Sequence, residues 1–267
     1  MLYDCHMHTR FSGDSTAPVH DMLKSAKIKS LSGLCFTDHL DLDYPGEEHD
    51  LFLLDLESYV PYMQRLKAES DCHFHIGLGI ELGLQPHLAD TLQDIVSQYP
   101  FDFVIGSSHV AHHVDPYYPQ YYEGRTEREA YEEYFEATLE NINAFSNFDV
   151  YGHIDYVVRY GPNKDTNFSY QSYSDHIDAI LKKLIELGKG IEINTGGYRS
   201  GLKHPNPRED ILLRYRELGG EILTLGADAH TPQDIAYRFE ELPKLLTSLG
   251  FTYFTVFKER KPCFYPL

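Results

Sequence analysis

The chemistry in this 267-residue chain is carried by imidazoles and carboxylates that fall at recurring stations. His6 and His8 lie two apart in the short apolar stretch 2–9. In a strand, residues i and i+2 share a face, so both rings point the same way and can grip one cation. Later apolar runs end in His39, in Glu81, in His109, in His153, and in Asp228 with His230, while Asp14 sits in the first loop. Imidazole and carboxylate donors without thiolates suit Zn²⁺, Fe²⁺ or Mn²⁺. These nine residues are too many for one four-coordinate ion and would serve two or three divalent ions. Two such ions sharing a bridging hydroxide can clamp an in-line phosphoryl transfer, with water ionised near neutral pH and no separate general base.

The elements that must position these groups alternate regularly. Helical periodicity over 18–30, 53–70, 87–99, 126–148, 170–187, 208–218 and 232–249 is interleaved with strands over 33–39, 74–81, 101–109, 150–155, 190–195 and 221–230. A last strand is expected over 253–257. Strands alternating with helices of this length make a parallel sheet with helical crossovers. Seven units without a Pro/Gly/Ser linker fit one α/β domain over 1–267, a distorted TIM-like (β/α)7 barrel. A doubly wound open sheet is the alternative, although no Gly-rich phosphate loop follows the first strand. In a barrel, strand carboxyl ends converge on one mouth, where the active site sits. The aromatic stretch 115–122 is either an active-site loop after the fourth strand or a packed surface loop. Glu127, Glu129, Glu132, Glu133, Glu136 and Glu140 are expected on the solvated face of a long amphipathic helix.

Composition narrows the function. A formal charge of −18 argues against a nucleic-acid partner. It suits an anionic substrate only if cations sit in the site. Cys5, Cys35, Cys72 and Cys263 are scattered and form no CxxC pair, as expected of reduced cytoplasmic thiols. No basic-then-apolar leader opens the chain and no apolar run approaches ~18 residues, so neither export nor a membrane partner is expected. Oligomeric state is left open.

Asp4-x-His6-x-His8, Thr37-Asp38-His39, Gly79-Ile80-Glu81, Gly106-Ser107-Ser108-His109, Gly152-His153 and Gly226-Ala227-Asp228-Ala229-His230 together resemble the PHP (polymerase and histidinol phosphatase) family, across essentially the whole chain. Arg159-Tyr160 and Glu192-Ile193-Asn194-Thr195 resemble its monofunctional histidinol-phosphatase branch. The resemblance implies a (β/α)7 barrel with up to three metals that hydrolyses L-histidinol phosphate, a small-molecule phosphate monoester, in histidine biosynthesis. It also implies a ligand grouping. His6, His8, Glu81 and Asp228 would surround one ion, with Glu81 bridging to a second held by His109 and His153. Asp14, His39 and His230 would hold a third, and Asp14 is often a histidine in other branches. Asp4 and Asp38 are expected to fix histidine tautomers.

Phosphate also needs side-chain cations. Arg159 and Arg199 follow the fifth and sixth strands and are expected to bind it and stabilise the transition state, since the guanidinium fork matches phosphate oxygens. His204 is a weaker substrate contact and Lys203 weaker still. Asp115 and Asp43, with Asp41, Tyr117 or Tyr118, would face the amine and imidazole of histidinol. Asp228, His230 or metal-bound water would protonate the leaving group, and the sequence does not choose among them. The competing readings are a PHP-type phosphatase acting on phosphotyrosine proteins or nucleotide phosphates, and a non-catalytic metal-binding module.

Overall fold

In the computed structural model, which describes residues 2–46, 49–70 and 73–267, parallel strands ring a core and helices cover them. Cys72 lies outside the described residues; Cys5, Cys35 and Cys263 are free thiols. The strands are β1 (Tyr3–Asp4), β2 (Gly33–Phe36), β3 (His39–Leu40), β4 (His75–Gly83), β5 (Phe103–Ser107), β6 (Val150–Tyr151), β7 (Gly190–Asn194) and β8 (Leu223–Gly226). Each pairs in parallel with its neighbour in the order β1-β2-β4-β5-β6-β7-β8, and β3 continues β2 alongside β4. The ring is brought to closure between its ends by Cys5 N–H to Leu225 O (2.8 Å), Asp228 N–H to His6 O (2.8 Å) and a parallel bridge from Met7 to Ala229. This is the expected seven-stave barrel. All five residues of β5 and of β7 are buried, as parallel strands covered on both faces require.

The helices are α1 (Val19–Ile28), α2 (Leu56–Ala68), α3 (Ala89–Gln98), α4 (Glu127–Ala144), α5 (Ser174–Glu186), α6 (Gly196–Arg199), α7 (Glu209–Glu217) and α8 (Leu242–Ser248). Helix α4 starts on a capping box in which Thr126 and Glu129 satisfy each other's backbone N–H groups. Its acidic face is only partly left to solvent, since Glu133 and Glu140 both reach His112 in the loop after β5. The helix expected over 232–249 is reduced to α8. Ala236 and Arg238 adopt φ of 51° and 57°, incompatible with a right-handed helix, and Asp4 holds the Ala236 N–H at 2.8 Å. The first two expected strands are likewise broken, because Asp38 turns inward to bind Thr9 and Ser12 instead of continuing a ladder.

The last strand, β9 (Tyr253–Lys258), forms an antiparallel hairpin with β10 (Lys261–Pro266) outside the ring. It packs on the amino-terminal end of the barrel, with Phe254 against Tyr3, Phe257 stacked on Phe103, and Arg260 on Asp149. The mouth at the other end stays free for chemistry.

His75 opens β4 at this lower end, and its Nδ1 is buried without a partner among the described residues. Burial, and then Lys258 and Lys67, push its pKa down to about 4. The folded value lies below the unfolded ~6.5, so this contribution to stability is present above ~6.5 and is lost as pH falls toward 4. Phenylalanine keeps the edge contact with Tyr3 and removes the titration. Urea titrations of His75→Phe are therefore expected to lose less stability than the parent between pH 6.5 and 4. The difference should be about 2 kcal/mol, after discounting for the ring's partial exposure. Parallel pH profiles would contradict this assignment.

Candidate metal centre and phosphate pocket

The strand ends deliver their polar residues to one mouth. His6 and His8 follow β1, His39 opens β3, Glu81 lies in β4, and His109, His153 and Asp228 each stand two residues past β5, β6 and β8. Glu81 is fully buried at the centre. Its Oε2 lies 3.1 Å from His6 Nε2 and 3.5 Å from His8 Nε2, and its Oε1 lies 3.0 Å from His153 Nε2 and 3.3 Å from His109 Nε2. Asp228 Oδ1 is 3.3 Å from His8 Nε2 and 3.7 Å from His6 Nε2. Asp14 Oδ2 is 2.9 Å from His230 Nε2 and 3.6 Å from His39 Nε2. All nine expected ligand residues are thus brought together.

Tautomers test whether a cation fits. His6 Nδ1 donates to Glu192 Oε1 (2.6 Å), His109 Nδ1 to Asp41 Oδ1 (2.7 Å) and His8 Nδ1 to Ser12 Oγ (3.3 Å), whose own proton goes to Asp38. Each Nε2 is left as a bare lone pair. His6 Nε2 and His8 Nε2 nevertheless stand 3.1 Å apart, with carboxylate oxygens around them. Two lone pairs at that distance repel unless a cation lies between them. The 3.1–3.7 Å separations among His6, His8, Glu81 and Asp228 match the ~3.3–3.4 Å edges set by tetrahedral coordination at ~2.0–2.1 Å. The donor set fits a divalent metal. Without a cation those inward lone pairs would take up protons instead: against burial, Glu192, Glu81 and Asp228 hold His6 well above the imidazole range, and Asp41 and Glu81 raise His109 to about 10. Burial opposes ionisation of Glu81, but these charged rings, with His39, outweigh it and hold its pKa well below the carboxylate range. His8 is driven down to about 3 by burial and by His39 and His230, which keeps it neutral and able to ligate.

Glu192 and Asp41 were not expected as tautomer-fixing partners; that role fell to Asp4 and Asp38. Asp4 instead accepts backbone N–H groups from His6, Ala227 and Ala236, while Asp38 accepts the Thr9 N–H and backs His8 only indirectly, through Ser12. The signal for Glu192 was a carboxylate in the middle of an apolar strand, a placement that demands a partner. A Cβ at Gly226 would come within 2.0 Å of the Glu192 carboxylate, so glycine there leaves room for its contact with His6.

Above the ligands lies a cavity of about 100 Å³ lined by Asp14, His39, His109, His153, Asp228 and His230 together with Arg159 and Asp41. Asp115, Tyr44, Phe52, Tyr156 and Tyr160 complete its lining, with Phe52 against His39 and Tyr156 against His109 and His153. Arg159, only 6% exposed, donates to Asp228 Oδ2, Asn194 Oδ1 and Asn206 Oδ1 at 2.9, 3.0 and 2.8 Å. Asp115 is held by Tyr44 Oη–H (2.7 Å) and the Tyr117 N–H (2.7 Å).

Four expected substrate contacts lie elsewhere. Asp43 is largely exposed and pairs with His87, because its φ of 54° turns the loop outward. His204 is buried with Nδ1 donating to Pro205 O, since the 201–206 segment folds back so that Asn206, not His204, faces the site. Arg199 does not line the cavity. It donates to Asp228 O at 2.6 Å and so secures the carbonyl of a residue held at φ 55°. Tyr117 is exposed, and the aromatic wall comes from Tyr44, Tyr156, Tyr160 and Phe52 instead.

Known proteins share this fold. Residues 4–196 match the PHP domain. A probable histidinol-phosphatase of Clostridium acetobutylicum is 31% identical, with 92% of each chain covered. The histidinol-phosphatase of Lactococcus lactis is 31% identical over 97% of this chain and 95% of its own. A crystal structure of histidinol phosphate phosphatase from L. lactis, complexed with zinc, L-histidinol and phosphate, superposes with a TM-score of 0.89 at 30% identity, covering 98% of both chains. With the ligand stations, the barrel and the sequence in agreement, the chain belongs to the PHP domain family.

Proposed function

We propose that the chain is a metal-dependent histidinol-phosphatase, hydrolysing L-histidinol phosphate to L-histidinol and phosphate in histidine biosynthesis. The observation that carries this reading is one cavity whose wall combines bare Nε2 and carboxylate donors with the Arg159 guanidinium. Three ions are proposed, held by His6, His8, Glu81 and Asp228, by Glu81, His109 and His153, and by Asp14, His39 and His230, with zinc, iron or manganese all compatible. Divalent metals there polarise phosphoryl oxygens and bring the pKa of water toward neutrality. The two free N–H groups of Arg159 orient the phosphate and meet charge that grows on its oxygens. Asp115 and the aromatic wall suit the ammonium and imidazole of histidinol. Asp228 Oδ2 accepts from Arg159 and its Oδ1 stands among the ligand nitrogens, a setting that favours a ligating carboxylate over an acid that gives up a proton. Among the described residues, no helix is long and apolar enough to cross a membrane.

A metal-replete phosphate-release panel tests the substrate. L-histidinol phosphate, a phosphotyrosine peptide, a nucleoside bisphosphate and a phosphodiester are compared at equal concentration. L-histidinol phosphate is expected to lead in kcat/KM by at least about a hundredfold, the scale of two well-placed polar contacts. A flat or phosphotyrosine-weighted profile would overturn the substrate assignment.

A further inference from the structure

Arg159 has five N–H donors, and three of them are committed to protein oxygens, two of which belong to asparagine amides. The amides are themselves oriented. Asn206 Nδ2 donates to buried Asp155 Oδ1 at 2.6 Å, and Asn194 Nδ2 donates to buried Glu192 Oε2 at 2.9 Å. With each nitrogen spent on a carboxylate, each Oδ1 must face the guanidinium. The two asparagines also exchange backbone hydrogen bonds (2.7 and 2.8 Å) across an isolated antiparallel bridge, which fixes their spacing. A carboxylate in direct contact would hold Arg159 as firmly but would neutralise it. An amide between carboxylate and guanidinium transmits position without that loss, and among the described residues Asp228 is the one acidic group bonded to Arg159 directly.

We propose that Asn206 and Asn194 are positioning residues that aim Arg159 at the phosphate while leaving its charge available, backed by Asp155 and Glu192. The proposal rests on the reading of Arg159 as the phosphate contact. Neither asparagine lines the cavity, so each acts through the arginine. The backbone bridge does not depend on side-chain identity, so truncation at 206 leaves it in place.

A double-mutant cycle tests this on the metal-loaded protein, using the parent, Asn206→Ala, Arg159→Ala and the double variant. The readouts are the inhibition constant of inorganic phosphate, KM and kcat for L-histidinol phosphate, and metal bound per chain. Asn206→Ala is expected to weaken phosphate inhibition roughly tenfold, the scale of one hydrogen bond to a charged group. Metal content should be unchanged, and the effect should shrink below about twofold in the Arg159→Ala background. An equal effect in both backgrounds, or none in the parent, would overturn the proposal while leaving Arg159 in place. No effect of Arg159→Ala itself would instead remove the reading on which the proposal rests. Should Asn206→Ala fail to fold, near-isosteric Asn206→Asp takes its place. It keeps an acceptor for Arg159 Nε but loses the donor to Asp155 and adds a second carboxylate, so the same cycle and the same outcomes apply.

Discussion

Glu81→Gln is expected to lower kcat/KM for L-histidinol phosphate by at least about a thousandfold and to reduce the metal bound per chain. Both Glu81 oxygens face ligand nitrogens, Oε2 toward His6 and His8 and Oε1 toward His109 and His153, and Oε1 also accepts the Ser107 hydroxyl at 2.6 Å. Glutamine fills the same volume but offers one oxygen. Its NH2 group must then point at imidazole nitrogens where a lone pair belongs, or at the Ser107 hydroxyl. Losing charge and a donor atom between two ion sites removes several kcal/mol of transition-state stabilisation, which is a thousandfold or more in rate. Because the side chain is isosteric, far-UV circular dichroism should match the parent. Elemental analysis beside phosphate release checks both halves. A variant that kept its full metal complement and its turnover would remove Glu81 from the centre of the site.

Much of this centre was legible from residue types because strand carboxyl ends must converge in a closed parallel ring. Placing His6, Glu81, His109, His153 and Asp228 in one mouth needed only the alternation of elements. What surrounded them was harder. The hydrogen-bond partners of His6 and His109 depend on how Glu192 and Asp41 lean across neighbouring strands, and no spacing rule reports that. Asp4, next in sequence to the histidines, was drawn instead to backbone N–H groups past β8, and Asp38 reaches His8 only through Ser12. Loops were least legible. His204 and Asn206 are two residues apart in a segment without periodicity, and which of them faces Arg159 follows from the bridge between Asn206 and Asn194. The β9–β10 hairpin shows the same limit, since 253–257 reads as a strand but nothing in it says that its partner follows at once rather than lying in the ring.

Arg159→Lys carries the other large expectation: kcat/KM for L-histidinol phosphate should fall about 100- to 1,000-fold with metal content unchanged. Lysine keeps the positive charge, so a purely coulombic role would survive the substitution. The site asks for more than charge. Arg159 spans Asn206, Asn194 and Asp228 with three donors, which leaves two of its five N–H groups uncommitted on a side chain that lines the cavity. An ammonium has three donors on one atom and cannot both satisfy those oxygens and reach a phosphate. Its strongest partner is Asp228, whose Oδ2 lies 2.9 Å from the present guanidinium. Lysine would therefore settle on that carboxylate and leave the Asn206 oxygen buried without its donor, while Asn194 Oδ1 would keep only the Gly196 N–H (2.8 Å). The loss should include weaker inhibition by inorganic phosphate, because a product that retains the phosphoryl oxygens reads the same contact. A lysine variant with near-parental kcat/KM would mean that Arg159 supplies only charge. The contrast with Glu81→Gln is then decisive, since one variant loses metal and activity together, whereas the other loses activity with the metals still in place.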